Sequence, residues 1–192
     1  YVSDHGDMLG DHYHWRKAYP YEGSAHIPFI VKWPSSLRSP QGGQDRHPVE
    51  LRDLLPTFLE AAGDTVPQEM DGMSLLRLVT KDGDKGWRDY IDLEHSACYA
   101  FENYWCALTD GKIKYVWNLY DGHEELFNLK DDPCELRELS GEAEYQEVLQ
   151  AMRRRMVAHL SERGEGFVKD GRLVVRGKDA MLYSPCYPGT VK

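Results

Sequence analysis

Four short runs rich in aromatic and β-branched residues, between residues 90 and 130, most constrain what this chain can fold into. The runs are YIDLEHS, YWCALTD, IKYVWNLY and EELFNLK. Asp110-Gly111 and Asp121-Gly122 stand between successive runs, and Asp-Gly is a preferred pair in the tight turn of a β-hairpin. The sequence therefore predicts a small antiparallel sheet of four strands.

An amphipathic helix is predicted after this sheet. From Glu142 to Arg163, apolar residues recur at the three- and four-residue spacing that places them on one helical face. They are Tyr145, Val148, Leu149, Met152, Met156 and Leu160. We expect this helix to cover the sheet, with the basic run at 153–155 as solvated surface. Residues 164–192 contain one strand-like run, RLVVRG, and are expected to pack on the body as an extended tail.

The first part of the chain has a different organisation. HIPFIVKWP, residues 26–34, is a short apolar run that contains prolines, which is typical of a strand buried on both faces. The apolar spacing over 51–62 predicts a helix, with Asp53 as its N-cap and Gly63 at its end. DGMSLLRLV, residues 71–79, predicts a shorter helical or turn segment.

The composition is that of a globular protein with a real core. Of the 192 residues, 41% are hydrophobic and 11% aromatic, which argues against intrinsic disorder. The formal net charge of −9 disfavours nucleic acid as a partner, and no apolar run is long enough for a membrane span. The change in composition after residue 88 predicts three parts, at 1–88, 89–163 and 164–192.

The cysteines form no recognisable metal-binding pattern. Cys98, Cys106, Cys134 and Cys186 are widely spaced and include no CxxC pair. We expect most of them to be buried thiols, with one disulfide if the protein is exported.

The segment SDHGDMLGDHYHWRK, residues 3–17, concentrates three histidines, three aspartates and a lysine. An Asp and a His at the end of a strand lie at the sheet edge where α/β proteins collect ligands. Asp4 and His5 could give a divalent cation one oxygen and one nitrogen ligand, so the remaining ligands would come from elsewhere. The alternative is a strand-ending turn in which Asp4 caps a helix.

Lys17 and the other histidines allow both functional and ordinary interpretations. A lysine returning to the same edge could balance the charge of a bound oxyanion, although most lysines are simply surface residues. His12 could be an acid/base group, a ligand or a loop histidine, and its place in the segment favours a functional role. For His14 and His26, an ordinary loop role is favoured.

Taken together, these residues resemble the sulfatase family. Residues 3–17 and the following YEG match its pattern S-D-[HN]-G, L-G-[DE]-H, lysine and Y-E-G. Four more family-like segments follow in order: VELRDLLPTFLEAAG, MDGMSLLRLV, ALTDGKIKYVWN and EELFNLKDDPCELRELS. The resemblance extends from residue 1 to about 163, and LYSPCYPG resembles an ending seen in some bacterial members.

The resemblance implies an α/β fold similar to that of the alkaline phosphatases. In that fold, a large domain with a mixed central sheet precedes a smaller domain with a four-stranded antiparallel sheet and a covering helix. Residues 1–88 would then be the C-terminal part of the large domain, and residues 89–163 the smaller one. We expect the chain to be the C-terminal part of a longer protein, an α+β fragment of the complete fold.

The resemblance also implies roles for individual residues. Asp4 and His5 match positions that hold a divalent cation, usually Ca²⁺, and Lys17 matches the position that contacts the sulfate oxygens. We take His12 as a second catalytic candidate. The family's nucleophile is a formylglycine made from Cys or Ser in C/S-x-P-x-R, and no Cys or Ser here lies in such a motif. We therefore expect the nucleophile upstream of this chain, and no turnover by this chain alone.

The expected activity of the complete protein is hydrolysis of sulfate esters, with a sulfated small molecule or glycan as substrate. A phosphonate monoester or phosphodiester hydrolase is the alternative within the superfamily, and a non-catalytic binding module is the alternative outside it. A self-contained zinc hydrolase is disfavoured because the sequence lacks HExxH.

Two further expectations concern the setting of the protein. The resemblance suggests a periplasmic or secreted protein, and a cytoplasmic one stays open. Because an incomplete fold leaves apolar surface uncovered, we expect this chain to self-associate.

Overall fold

The computed structural model describes residues 1–35, 37, 42–79, 85–97 and 100–179. The chain forms two compact units. The first unit is Tyr1–Asp4 with Pro28–Ile91, and the second is His5–Ile27 with Asp92–Lys192. The predicted division at residues 88 and 163 stays a prediction.

The described elements follow the predicted order along most of the chain. The helices are α1 (Glu22–Ala25), α2 (Leu54–Ala61) and α3 (Gln146–Ser161). The strands are β1 (Ile91–Ser96), β2 (Tyr104–Thr109), β3 (Ile113–Asn118), β4 (Glu124–Asn128), β5 (Val168–Lys169) and β6 (Arg172–Leu173). Single 3₁₀ turns lie at Asp11–Tyr13, Leu51–Asp53, Leu75–Val79 and Ala143–Tyr145.

The predicted four-stranded sheet is confirmed, and it forms the centre of the second unit. Its strands lie in the order β1-β2-β3-β4, and the β2–β3 and β3–β4 pairs are antiparallel. Gly111 and Gly122, in the predicted turns, have φ angles of 79° and 81°. Glycine adopts such left-handed conformations without steric cost, which explains its place in both hairpin turns.

The sheet is covered on both faces, because all six residues of β2 are buried. Side chains alternate between the faces of a strand. Trp105, Ala107 and Val116 form a buried cluster on one face, and Lys114 shares it by register. We call this the motif face, because residues 5–27 pack on it.

Helix α3 is the predicted covering helix, and it contacts β2 and β3. Its buried residues are Leu149, Met152, Met156 and Leu160. Arg153 differs from the prediction of a wholly solvated basic run. The side chain of Arg153 is 43% exposed and donates two hydrogen bonds to the Glu124 carboxylate. Nε lies 2.7 Å from Oε1, and one terminal nitrogen lies 2.5 Å from Oε2.

The predicted tail is described only in part. Strands β5 and β6 form a small antiparallel hairpin that contacts α3. Of the strand-like run RLVVRG, only Arg172 and Leu173 lie in a strand. Residues 180–192 lie outside the described residues, so the extended packing proposed for them stays a prediction.

In the first unit, the predicted helix is present and Asp53 stands at its N-cap position, but the side chain of Asp53 has a different role from the predicted one. A 3₁₀ turn runs into α2, and the Asp53 carboxylate makes no capping bond to the α-helix. Asp53 is instead fully buried, accepting hydrogen bonds from the backbone N–H of Glu50 and Met73 at 3.0 and 2.7 Å. Arg88 binds both of its oxygens at 2.7 and 2.6 Å, which compensates the buried charge.

The predicted strand over residues 26–34 is not formed. Among the described residues, its one ladder contact is an isolated antiparallel bridge between Val2 and Phe29, and Ile30 and Val31 are 62% and 41% exposed. A strand buried on both faces needs strands on either side, and residues 1–3 provide one short neighbour. The apolar sequence alone therefore does not produce the strand.

The remaining predictions for the fold concern membrane spans and thiols. Within the described ranges, no helix is long and apolar enough to cross a membrane. Cys106 and Cys134 are free thiols. Cys106 is buried as predicted, and burial raises its pKa to about 12, whereas Cys134 is exposed. Cys98 and Cys186 lie outside the described residues.

Candidate functional site

The motif segment, residues 5–27, packs on the motif face of the sheet. The hydroxyl of Tyr21 donates to the Glu125 carboxylate at 3.0 Å. The ammonium group of Lys114 donates to the Pro20 carbonyl at 2.8 Å. These contacts bind a loop that has little regular structure to the rigid sheet beneath it.

A buried ion cluster provides the strongest of these attachments. Lys114 is fully buried, and its Nζ lies 2.6 Å from Oε1 of Glu22 and 2.7 Å from Oε1 of Glu135. The second carboxylate oxygen of Glu135 accepts the backbone N–H of Glu22 at 2.6 Å. The cluster therefore ties β3, the loop after β4 and the start of α1 together.

The two carboxylates of this cluster titrate in opposite directions. Burial alone would raise the pKa of Glu22, but its hydrogen bond to His26 and the charge of Lys114 outweigh burial and lower the pKa to about 2. For Glu135, burial dominates and raises the pKa despite the contact with Lys114. Both carboxylates contact the ammonium group of Lys114, so the buried lysine has two counter-ions.

A close backbone approach fixes the turn that carries the motif. The N–H of Gly6 donates to the carbonyl of Ser24 at 2.8 Å. A Cβ at position 6 would lie 2.1 Å from the carbonyl oxygen of Gly23. Because real Cβ atoms do not approach so closely, only glycine fits here, directly after His5.

His5 and Lys17 meet in the structure, as their predicted common site requires. Nζ of Lys17 lies 2.9 Å from Nε2 of His5. An ammonium group can only donate, so Nε2 is the acceptor and the ring proton is on Nδ1. Nδ1 then donates to the carbonyl of Gly6 at 2.7 Å. A backbone carbonyl holding the other ring nitrogen is the usual arrangement around a metal-binding histidine.

Asp4 and His5 are an oxygen donor and a nitrogen donor of the kinds that divalent cations bind. His5 presents the Nε2 lone pair that a cation would use, and Asp4, an exposed carboxylate, directly precedes it in the chain. Across the described ranges, no group of three or more His, Cys, Asp or Glu residues could hold a metal ion. The metal roles of Asp4 and His5 therefore stay predictions that require ligands from outside this set.

The loop before Lys17 is held by its own backbone and by Asp7. Oδ1 of Asp7 accepts the N–H of Leu9 at 3.0 Å and that of Arg16 at 3.1 Å. Met8, which is 1% exposed, donates its N–H to the Arg16 carbonyl at 2.9 Å. Asp7 thus closes the loop and brings Lys17 back to the turn at His5.

His12 lies against the loop that follows β4. Its Nε2 is 3.0 Å from the carbonyl of Cys134, so that nitrogen donates. Its ring stacks on Tyr21, with centroids 4.1 Å apart. These contacts attach the loop, and the catalytic role of His12 stays a prediction.

The two other histidines also have partners. His14 stacks on Tyr19 at 3.9 Å, and burial followed by the charge of His12 lowers its pKa. Nδ1 of His26 lies 2.7 Å from Oε2 of Glu22, and this hydrogen bond raises the pKa of His26. Both contacts agree with the ordinary loop role favoured from the sequence.

Sequence reasoning missed the residues that hold the site from below. Lys114, Glu135 and Glu125 lie within the family-like segments, but no role in the site was predicted for them. One signal was available for Lys114, because it is the single lysine inside the strand-like run IKYVWN, between Ile113 and Tyr115. Asn103 and Trp105, described below, gave no local signal because their partner is 85 or more residues away.

Comparison with known proteins identifies the family. Residues 10–162 match the family model "N-sulphoglucosamine sulphohydrolase, C-terminal". An arylsulfatase of Clostridium perfringens is 39% identical over 178 residues, which are 92% of this chain and 36% of that protein.

Two solved structures resemble this chain closely. A 2-O GAG sulfatase superposes with a TM-score of 0.70 at 25% identity, covering 88% of this chain and 37% of that one. A phosphonate monoester hydrolase of Silicibacter pomeroyi superposes with a TM-score of 0.71 at 25% identity, covering 91% and 38%.

The chain therefore spans somewhat more than a third of the length of these relatives. The match covers the motif segment from residue 10, the sheet and the covering helix. The order of the sequence motifs and the observed sheet agree with it. This chain belongs to the sulfatase family of the alkaline phosphatase superfamily and corresponds to the C-terminal portion of its members.

Proposed function

We propose that this chain supplies the sulfate-contacting lysine and two metal ligands of an active site that hydrolyses sulfate esters. The observation that carries the proposal is the 2.9 Å contact between Lys17 and His5. This contact places the ammonium group of Lys17 beside the imidazole nitrogen with which His5 would bind a metal ion. Both residues leave a loop that the buried cluster at Lys114 attaches to the sheet.

In this proposal, Lys17 stabilises negative charge during the reaction. Charge develops on oxygen atoms as the sulfur–oxygen bond of the ester breaks, and a fixed ammonium group lowers the energy of that state. When bound, a divalent cation, for which we propose Ca²⁺, would supply further positive charge at the sulfate oxygens. His5 contributes by holding its Nε2 lone pair in one orientation through the bond to Gly6.

The nucleophile is proposed to lie outside these 192 residues. No Cys or Ser of the chain stands in the C/S-x-P-x-R pattern from which the family makes formylglycine. The chain would then be one half of a site, and its catalytic residues would act only together with the rest of the domain.

A sulfated sugar is the substrate class that we propose. The matched family model is named for N-sulphoglucosamine, and one similar structure is a 2-O GAG sulfatase. Those names describe the relatives, and they support the same class of substrate for the protein that contains this chain.

A phosphonate monoester hydrolase is the second candidate, because a structure with that activity superposes equally well. A tetrahedral phosphonate would use the same lysine and metal ligands. The contacts of Lys17 and His5 therefore fit both ester types, and assays must separate them.

The test compares an aryl sulfate with an aryl phosphonate, using a longer protein that contains residues 1–192 and carries formylglycine. We expect the sulfate to be the better substrate and Lys17→Ala to lower its turnover about 100- to 1000-fold, as for loss of one oxyanion contact. Lys130→Ala, at an exposed turn after β4, is the control and should be neutral. Faster turnover of the phosphonate would favour the second candidate, and full activity of Lys17→Ala would remove the proposed role.

A further inference from the structure

Two side chains of the second unit hold the carbonyl group directly after Lys17. The carbonyl of Ala18 accepts a hydrogen bond from Nδ2 of Asn103 at 2.8 Å and another from Nε1 of Trp105 at 3.1 Å. Nε1 of Trp105 also lies 3.0 Å from Oδ1 of Asn103. Because an indole nitrogen only donates, this triangle fixes which end of the amide faces Ala18.

The backbone on either side of Lys17 needs such support. Arg16 and Ala18 have φ angles of 70° and 97°. Residues other than glycine rarely adopt positive φ, and they keep it only where the surrounding structure fixes them. Asp7 and Met8 hold Arg16 through its N–H and its carbonyl, and Asn103 and Trp105 hold Ala18.

The two donors are themselves rigidly placed. Trp105 is 6% exposed and belongs to the buried cluster on the motif face. His95 stacks on the Trp105 ring with centroids 6.0 Å apart, and its Nδ1 lies 2.8 Å from the carbonyl of Asn103. The Ala18 carbonyl is therefore fixed to side chains at the start of β2.

We infer that Asn103 and Trp105 are positioning residues for Lys17. By holding Ala18 at positive φ, they set the direction in which the Lys17 side chain leaves the backbone and reaches Nε2 of His5. The inference rests on the function proposed above for Lys17, but the geometry that it explains is independent of turnover.

Loss of the hydrogen bonds from Asn103 and Trp105 to the Ala18 carbonyl allows Ala18 to relax toward negative φ. Rotation of the backbone there moves the whole Lys17 side chain, and a displacement of about 1 Å at a catalytic group can cost on the order of 100-fold in rate. The expected result of removing Asn103 is thus a fall in kcat with little change in KM, because the group is present but misplaced.

The first test reads the geometry without catalysis. In this chain, ¹⁵N NMR of the His5 ring should show the proton on Nδ1, since Nε2 accepts from Lys17. Asn103→Ala should move the Nε2 resonance toward that of a ring nitrogen without this bond, while the bond from Nδ1 to the Gly6 carbonyl keeps the tautomer. Asn128→Ala is the matched control, because Asn128 makes comparable bonds in the turn after β4 and none to the motif segment. An unchanged His5 ring in Asn103→Ala would overturn the inference.

Two further variants separate positioning from a general loss of stability. Trp105→Phe keeps an aromatic ring in the cluster but lacks the N–H, and it should shift the Nε2 resonance of His5 in the same direction. Adding Ala18→Gly to Asn103→Ala should move the Nε2 resonance back toward its wild-type position, since glycine adopts positive φ without steric cost. Failure of this rescue in a folded double variant would contradict the inference.

The second test is a double-mutant cycle in the longer protein with an aryl sulfate. Asn103→Ala should lower kcat about 10- to 100-fold. In a Lys17→Ala background, the same change should cost less than about 2-fold, because Asn103 acts through Lys17. Equal losses in both backgrounds would overturn the inference. An inactive wild type with the expected His5 tautomer would instead count against the proposed function alone.

Discussion

The ammonium nitrogen of Lys17 lies 2.9 Å from Nε2 of His5. Lys17, the proposed anion contact, therefore donates to the same lone pair with which His5, a proposed metal ligand, would bind a cation. Nε2 of His5 would hold a cation when one is bound, and the Lys17 ammonium group would then lose this contact. The released ammonium group could then turn toward an anion held beside the cation. The observed contact therefore keeps both groups ordered at the position that we propose for the sulfate ester.

The turn at Gly6 gives a sharp test of the motif geometry. Gly6→Ala should destabilise the chain by at least about 2 kcal/mol, since its Cβ would lie 2.1 Å from a backbone oxygen. Gly141→Ala is the control, because a Cβ there meets nothing within 4 Å. It should change the free energy of unfolding by less than about 1 kcal/mol. Urea unfolding measures both, and equal effects of the two variants would show that the close approach is not real.

The buried ion cluster predicts a large loss when its cation is removed. Lys114→Met should lower the free energy of unfolding by about 3–5 kcal/mol, because the buried Glu135 carboxylate would remain without a counter-ion and Glu22 would keep only His26. Lys114→Met/Glu135→Gln should lose less, since one uncompensated charge is gone. Lys112→Met, at the exposed hairpin turn, should be nearly neutral. A double variant that loses more than the single one would contradict this account.

Acid should weaken the same cluster through Glu22. The folded-state pKa of Glu22 is about 2 against an ordinary value of 4.5, so the unfolded chain takes up its proton first as the pH falls. The stability from Glu22 is therefore complete above pH 4.5 and is lost between about pH 4.5 and 2.

The measurement is the free energy of unfolding in urea at pH 5 and at pH 3. Glu22→Gln should lose less stability over this interval than the wild type, because it lacks the titrating group. In this window His26 stays protonated in both states, so its raised pKa does not contribute. Glu165→Gln, an exposed residue after α3, should lose as much as the wild type. An identical loss in Glu22→Gln would disprove the proposed counter-ion role.

The apolar side of α2 predicts association of this chain in solution. Leu55 and Phe58 are 55% and 62% exposed, although the helix periodicity marks them for burial. Phe58→Lys should lower the average mass measured by light scattering at high protein concentration. Leu136→Lys, which replaces an isolated leucine that is 80% exposed, should leave the mass unchanged. A wild-type chain that stays monomeric would refute this expectation.

Local pattern was sufficient to predict the sheet and its covering helix. The four strands and α3 depend on alternation, on Asp-Gly turns and on helical spacing, all of which are present within short windows. The segment over residues 26–34 shows the limit of this reasoning. Its apolar residues favour a strand, but strand formation depends on neighbouring strands that the segment cannot specify.

Long-range polar contacts were beyond local pattern. Asp53 has the residue type of an N-cap, yet Arg88, 35 residues away, binds it as a buried ion pair. Lys114 and Glu135 are likewise joined only by the fold. The sequence motif predicted that His5 and Lys17 share a site. The hydrogen bond from Asn103 to the Ala18 carbonyl could not be predicted from that motif.

The most direct test of the half-site account is a paired assay of aryl sulfate hydrolysis with Ca²⁺ present. It compares this chain with a longer protein that contains it and carries formylglycine. We predict turnover by the longer protein only, and its loss in both Asp4→Ala and Lys17→Ala. Turnover by residues 1–192 alone would contradict the account, because it would place a nucleophile within this chain.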